Sequence, residues 1–318
     1  MDSVISPVRL ARILVPLDGS RLAECVLPVA VSLAARLPAR LLLLHVMERA
    51  APALVHGERH LRLASEAEGY LEEVAARCRA AGVDVEVHVH PNEEGDVAKS
   101  IVDHAADLSA DLVVIATHGG GGARRVLFGS VAQQVLRRGI RPVLLVRPPE
   151  GRPHEEAFPG LRRVLVPLDG HPPAERALPV AVAVARAYGA ELILVRIVPT
   201  LATITDERAG TARLAPTATA ASLDLEEVEA RGYLDALAHR VRAGGLDVTT
   251  SVGRGEPAQG VLEWAARAGA DIIVMATHGR TGLDAVFSGS VASRIVARFP
   301  RPLLLVRAPR PGEAGSPG

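Results

Sequence analysis

Cysteine is almost missing from this chain. Cys25 and Cys78 are the only two in 318 residues, and neither stands in a Cys-x-x-Cys or Cys/His ligand spacing. Both fall in apolar helical patterns of the first half, which predicts buried free thiols rather than a disulfide and fits a reducing compartment. Net charge is missing as well, since 36 Lys and Arg balance 36 Asp and Glu. A neutral chain lacks the field of an electrostatic nucleic-acid binder, so no nucleic-acid partner is expected. No run approaches the roughly 20 apolar residues of a membrane span. The N-terminal MDSVISPVRLARILVPLDG has no apolar signal core. The expected location is cytoplasmic, with no membrane partner.

What is present is apolar content and duplication. Nearly half of the residues are hydrophobic (48%), enough for a core in each of two domains. RILVPLDGS at Arg12 returns as RVLVPLDGH at Arg163. LPVAV at Leu27 returns at Leu178, and RPVLLVR at Arg141 returns as RPLLLVR at Arg301. ATHGGGGARRVLFGSVAQQVL at Ala116 returns as ATHGRTGLDAVFSGSVASRIV at Ala276. The repeating unit is a whole domain. The boundaries expected are 1–148 for the first domain, 149–160 for a linker, 161–309 for the second domain and 310–318 for a disordered tail. About nine extra residues in the second copy are assigned to Pro199–Ser222, read as a long surface loop or partly disordered lid.

Within each copy, short apolar runs alternate with helical patterns. In the first copy the runs are RILVPL, RLLLLHVM, DVEVHVH, DLVVIATHG and RPVLLVR. The intervening helices are expected over Leu22–Leu37, Ala64–Ala81, Asp96–Leu108 and from Ser130. Short connections between alternating elements predict an α/β fold, a parallel sheet with helices on both faces. Pro28 and Pro179 stand inside the first helix of each copy, where proline should kink it.

Ligands of open α/β sheets sit outside the carboxyl ends of strands, where the strand order reverses. Two loops of unusual chemistry follow strands here, PLDG with Asp18 and ATHG(x)9GS. A strand order of 3-2-1-4-5 would bring them together. Gly119 and Gly129 remove side chains where backbone N–H groups could approach a ligand. Ser130 can cap the next helix, whose N-terminus suits a phosphate. Asp18 can accept from ribose hydroxyls or hold a magnesium ion. The end of the second strand, at His45 and Val46, can offer an apolar wall to a base. The alternative is that the glycines only form a tight turn and Gly-Ser is only a cap.

VPLDGS, the proline-containing helix, LLHV, ATHG(x)9GSV and RPVLLVR together resemble the universal stress protein family, in both halves. The resemblance implies two tandem flavodoxin-like, doubly wound domains of the adenine nucleotide alpha hydrolase type, each with a five-stranded parallel sheet in the order 3-2-1-4-5. It also implies the family's ATP-binding branch, with pattern G-x-x-G-(x)9-G-[ST]. Gly119, Gly129 and Ser130 match it in the first copy, and Gly279, Gly289 and Ser290 in the second. Ala116 and Ala276 replace the first family glycine. By resemblance Asp18 and Asp169 meet the ribose or phosphates, and Val46 meets adenine, with Ile197 its counterpart. The candidate contacts are therefore Pro16, Leu17, Asp18, Val46, Ala116, His118, Gly119, Gly129, Ser130 and Val131 in the first half. In the second they are Pro167, Leu168, Asp169, Ile197, Ala276, His278, Gly279, Arg280, Gly289, Ser290 and Val291. The ligand expected is ATP, or ADP or AMP, with magnesium as a candidate companion.

The copies differ. Four glycines from Gly119 stand where the second copy has Gly279-Arg280-Thr281-Gly282, so ordering entropy favours tighter phosphate binding in the second copy unless His171-Pro172-Pro173 obstructs it. His56 with His60, and His88 with His90, have spacings that could bind a metal, but no Cys or carboxylate cluster completes either, and no metal site is assigned. His118 and His278 read as backbone-positioning residues rather than general acids. Trp264 reads as core packing. No catalytic residues are assigned, because no lysine, arginine finger or water base is evident for phosphoryl transfer. The expectation is a nucleotide-binding stress-response regulator with at most slow ATP hydrolysis. The rival readings are a protein-interaction module of the same fold that binds no nucleotide, and an adenylyl-transfer or hydrolytic enzyme. The two uniformly apolar final strands are expected to meet in an intramolecular pseudo-dimer of the two domains. A homodimer of chains is left open.

Overall fold

The computed structural model describes residues 4–49, 54–55, 57–117, 129–148, 158–204, 210, 214–277 and 291–307. The chain divides into two compact units, one holding residues 9–160 with 300–305, the other holding 1–8, 161–299 and 306–318.

In the first unit the strands are β1 (Arg12–Pro16), β2 (Arg40–Glu48), β5 (Val85–Glu94), β6 (Leu112–Ala116) and β7 (Val143–Val146). β3 (Leu54–Val55) and β4 (Glu58–Arg59) form a separate small hairpin. Strand β1 lies parallel to β2 on one side and β6 on the other, with β5 beyond β2 and β7 beyond β6. Leu41 to Leu44 are wholly buried, as a strand covered on both faces requires. The all-parallel sheet expected of this half gains an antiparallel strand. β12 (Leu303–Arg307) runs against β7, with Leu303 opposite Leu145 and Leu305 opposite Val143. An apolar edge is thereby covered.

The second unit repeats the pattern. β8 (Arg163–Pro167) is parallel to both β9 (Glu191–Val198) and β11 (Ile272–Thr277), and β10 (Val248–Arg254) flanks β9. Its inter-strand staple is repeated too. Asp111 Oδ2 accepts the N–H groups of Ala11 and Arg12 at 2.7 and 3.0 Å, and Asp271 Oδ2 accepts those of Arg162 and Arg163 at 2.8 and 3.0 Å. Each carboxylate ties the entry of the fourth strand to that of the first, which fixes the loops at their far ends side by side. The N-terminal residues pack with this unit: Ile5 is buried, and Val8 N–H donates to the Pro179 carbonyl.

Three local expectations are corrected. Pro28 does not kink a helix, because a 3-10 turn (Ala23–Val26) precedes it and the α-helix Leu27–Arg36 begins only there, with proline in its first turn, where an N–H has no intrahelical partner. Pro179 stands in the first turn of Ala177–Tyr188 for the same reason. Second, Pro216–Arg242 is one 27-residue helix, so residues 216–222 of the expected loop are helical, started by a proline at its first position. Residues 205–209 and 211–213 of that stretch lie outside the described residues. Third, Ser130 is not the cap of its helix. Gly129 occupies the cap with extended φ/ψ, and Ser130 opens the helix Ser130–Arg138.

Candidate functional site

At the carboxyl ends of β1, β2 and β6 the first unit has a pocket of about 280 Å³. Pro16, Leu17 and Asp18 line it from β1 and its loop, Val46 from β2, Ala116 from β6, and Gly129, Ser130 and Val131 from the helix N-terminus. These sequence-expected positions come together because β1 and β6 are neighbours, Ile13 pairing Leu112. His118 and Gly119 lie outside the described residues.

The Asp18 loop has its own internal order. Ser20 donates to Asp18 Oδ1 through both its N–H (2.9 Å) and its hydroxyl (2.6 Å), and the Ser20 oxygen accepts Ala23 N–H at 3.1 Å. Gly19, at φ +87°, takes the left-handed turn that follows. Leu17 N–H donates to Leu44 O at 2.9 Å, and the ring Nδ1–H of His45 donates back to Leu17 O at 2.8 Å. Strand β2 therefore holds the loop from two sides. The register of β2 on β5 shifts between Val46 and Glu48, a bulge at the pocket rim. Burial lowers the His45 pKa, the Leu17 hydrogen bond opposes the shift, and the neighbouring His60 adds to it. The ring is neutral at pH 7 and carries its proton on Nδ1.

Several lining residues had no signal in the sequence. Val97 and Ile101 come from the helix Val97–Asp107, and Ile115 from β6. Val55 and His60 come from the hairpin and the stretch that follows it. They form the apolar wall, and only the packing of that helix and hairpin over the strand ends brings them there. His60 was visible only as half of a metal-spaced pair. Its partner His56 is outside the described residues, and its own Nδ1–H donates to Leu61 O at 2.9 Å. His88 Nε2 meets Glu86 Oε1 at 2.8 Å, and His90 packs edge-on against His104 at 5.0 Å. Among the described residues no group of three or more His, Cys, Asp or Glu is placed to hold a metal ion. Cys25 and Cys78 are buried free thiols, and burial pushes Cys25 up to about 12, which makes it unreactive.

In the second unit Asp169 Oδ1 accepts His171 N–H at 2.9 Å, and Leu168 N–H donates to Val195 O at 2.8 Å, repeating the first loop. Pro167 ends β8, and Ala276 is buried near the end of β11. Ile197 packs into a notch left by two glycines: a Cβ on Gly260 would meet its side chain at 2.9 Å, and one on Gly253 at 2.8 Å. The counterpart of His45 is Arg196, whose guanidinium lies on Gly170 and 5.8 Å from the Tyr233 ring. Val291 lies in the helix Val291–Arg298. His278, Gly279, Arg280, Gly289 and Ser290 lie outside the described residues. Trp264 is half-buried under Arg267, 4.9 Å from its ring, rather than in the core.

The universal stress protein family model matches residues 10–147 and again 160–307. The chain belongs to the universal stress protein family. It is 28% identical over 244 residues to a universal stress protein of Mycolicibacterium smegmatis, covering 74% of each. It is 33% identical over 152 residues to one from Thermus aquaticus, covering 46% of this chain and 98% of that one. A crystal structure of a universal stress protein from Archaeoglobus fulgidus superposes with a TM-score of 0.67 at 21% identity, over 94% of this chain and 97% of that one, a likeness of fold. This universal stress protein thus carries the family domain in tandem. No described helix is long and apolar enough to cross a membrane.

Proposed function

We propose that this tandem universal stress protein binds an adenine nucleotide, ATP in the first instance, and acts through occupancy rather than turnover. The observation that carries the reading is the first-half pocket. A carboxylate on a left-handed loop, a helix N-terminus opened by Gly129-Ser130, and an apolar wall from Val46, Val97 and Ile101 converge on one cavity. Each part suits one part of the ligand. Asp18 meets ribose hydroxyls or a magnesium ion carried on the phosphates. The N–H groups at the start of Ser130–Arg138 meet a phosphate. The apolar wall takes the base. Asp169, Ile197, Ala276 and Val291 are the corresponding contacts in the second half, and the strand order 3-2-1-4-5 is the arrangement read for both.

The test is calorimetric titration of the full chain with ATP and magnesium, the second half disabled by Asp169→Ala. Asp18→Ala removes the ribose or metal acceptor and Gly129→Val blocks backbone approach. Each is expected to weaken binding about tenfold or more, one charge-assisted hydrogen bond being worth roughly 1.5–3 kcal/mol. Unchanged affinity in both variants sinks the pocket assignment.

A further inference from the structure

Two buried histidines meet at the wall of the first-half pocket. The rings of His45, at the end of β2, and His60, beyond the β3–β4 hairpin, stand 6.5 Å apart between centroids with planes at 63°. His45 is 1% exposed and His60 4%. Each has spent Nδ1–H on a backbone carbonyl, His45 on Leu17 and His60 on Leu61. The second nitrogen of His45 is buried with no hydrogen-bond partner. That of His60 stands 3.6 Å from Glu48 Oε2.

Both carbonyls belong to residues that shape the Asp18 loop. Leu17 precedes Asp18. Leu61 covers Gly19 so closely that a Cβ there would meet its Cδ1 at 2.8 Å. We propose that His45 is a positioning residue that makes nucleotide occupancy of the first half sensitive to mild acidification, while the second half, with Arg196 in the same place, does not respond. The proposal rests on the nucleotide reading above and supplies its regulation.

The physical chain is short. A proton added to His45 Nε2 creates a buried N–H that has no acceptor, and a cation facing the His60 ring. The charged groups around the pair offer little relief. From the 3-10 turn, Glu24 is already paired with Arg77, and Cys25 is held as a thiol. From the hairpin, Glu58 takes the Arg21 N–H at 2.7 Å, and Arg59 pairs with Glu66 of the helix Ala64–Ala80. Tyr70 of that helix is kept protonated by its burial. Asp18, from the β1 loop, attracts a charged His45, but its Oδ1 is committed to Ser20, and Glu48 faces His60. Relief comes from moving the His45 ring or drawing His60 and Leu61 away. Either movement loosens the loop that presents Asp18. The second half has a guanidinium in place of the imidazole, at Arg196, so it has no equivalent event.

The experiment uses the full chain and ATP-magnesium as probe, titrated at pH 7.5 and pH 5.5. With the second site disabled by Asp169→Ala, affinity should fall about tenfold, the equivalent of one pKa unit of coupling. With the first site disabled by Asp18→Ala, it should change less than about threefold, short of half a pKa unit. Adding His45→Gln, which keeps a donor for Leu17 O without titrating, should flatten the first-site profile whatever its absolute affinity. A flat profile in the Asp169→Ala protein, or a fall that persists with His45→Gln, overturns the proposal. Amide exchange of residues 57–63 in the ligand-free protein gives a readout independent of nucleotide. Exchange that accelerates at pH 5.5 beyond the intrinsic chemistry, and does so only with His45 present, supports the device, and exchange that does not overturns it. Absence of ATP binding at both pH values counts against the nucleotide reading alone, and the exchange result then decides.

Discussion

Asp111 shows at the scale of one residue how a fold is pinned. Its carboxylate accepts two backbone N–H groups from the entry of β1, which sequence distance alone would never bring near it. Asp111→Ala leaves both donors without that acceptor. The expected loss is about 2 kcal/mol of unfolding free energy, within the range for charge-assisted hydrogen bonds, measured by urea titration. The same substitution at Asp271, whose two hydrogen bonds are more exposed, should cost less. His45 adds a pH dependence whose sign is fixed by burial. Its folded pKa is lowered, so its contribution is complete above the unfolded value near 6.5 and is lost as pH falls through 6.5 toward the folded value. The urea midpoint should therefore drop between pH 7 and pH 5. His45→Gln should remove part of that drop, and an identical drop in the variant would refute the assignment.

At the scale of elements, periodicity and punctuation placed most segments. The helix expected over Ala64–Ala81 is Ala64–Ala80, and that expected over Asp96–Leu108 is Val97–Asp107, with Asp96 as a cap accepting from Lys99 N–H at 3.0 Å. What pattern alone could not place was the start of the first helix. A 3-10 turn and an α-helix share the same apolar spacing over so few residues, so the proline looked internal. Its true place predicts that Pro28→Ala changes stability by less than about 0.5 kcal/mol, whereas Ala34→Pro, in the buried helix interior, costs about 3 kcal/mol or more. Thermal melts of the two variants distinguish these cases. The start of the helix Pro216–Arg242 was illegible for another reason. Its first turns are Thr- and Ala-rich, with no apolar stripe to announce a buried face.

At the scale of the whole molecule, the ladder between Val143–Leu145 and Leu303–Leu305 is the feature with the widest consequence. A strand written late in the chain thereby covers the apolar edge of the unit that holds residues 9–160. Leu145→Lys with Leu305→Lys would place a cation on each strand of the ladder, at two buried positions, Leu145 facing Leu303 and Leu305 facing Val143. The expected result is a lower urea midpoint, because each lysine would carry a charge into a buried apolar position of the ladder. An unchanged midpoint would refute the burial of this edge.

The duplicated blocks, the alternation of strand and helix, and the residue types of the two loops were all determined by the sequence. They depend on local spacing and on chemistry carried by adjacent residues, and the repeat supplied each reading twice. Asp18, Val46, Ala116, Gly129 and Ser130 could be named as candidates on that basis. Tertiary structure alone decided that they share one cavity, because β1 and β6 lie side by side in space while almost a hundred residues apart in the chain. It alone supplied Val97, Ile101 and His60 to the wall, and turned His45 from an apolar-run neighbour of Val46 into the support of the Asp18 loop. The physical reason is that a pocket consists of contacts between chain segments. Their partners are chosen by burial and hydrogen-bond satisfaction over the whole sheet, a constraint that no local window of sequence contains.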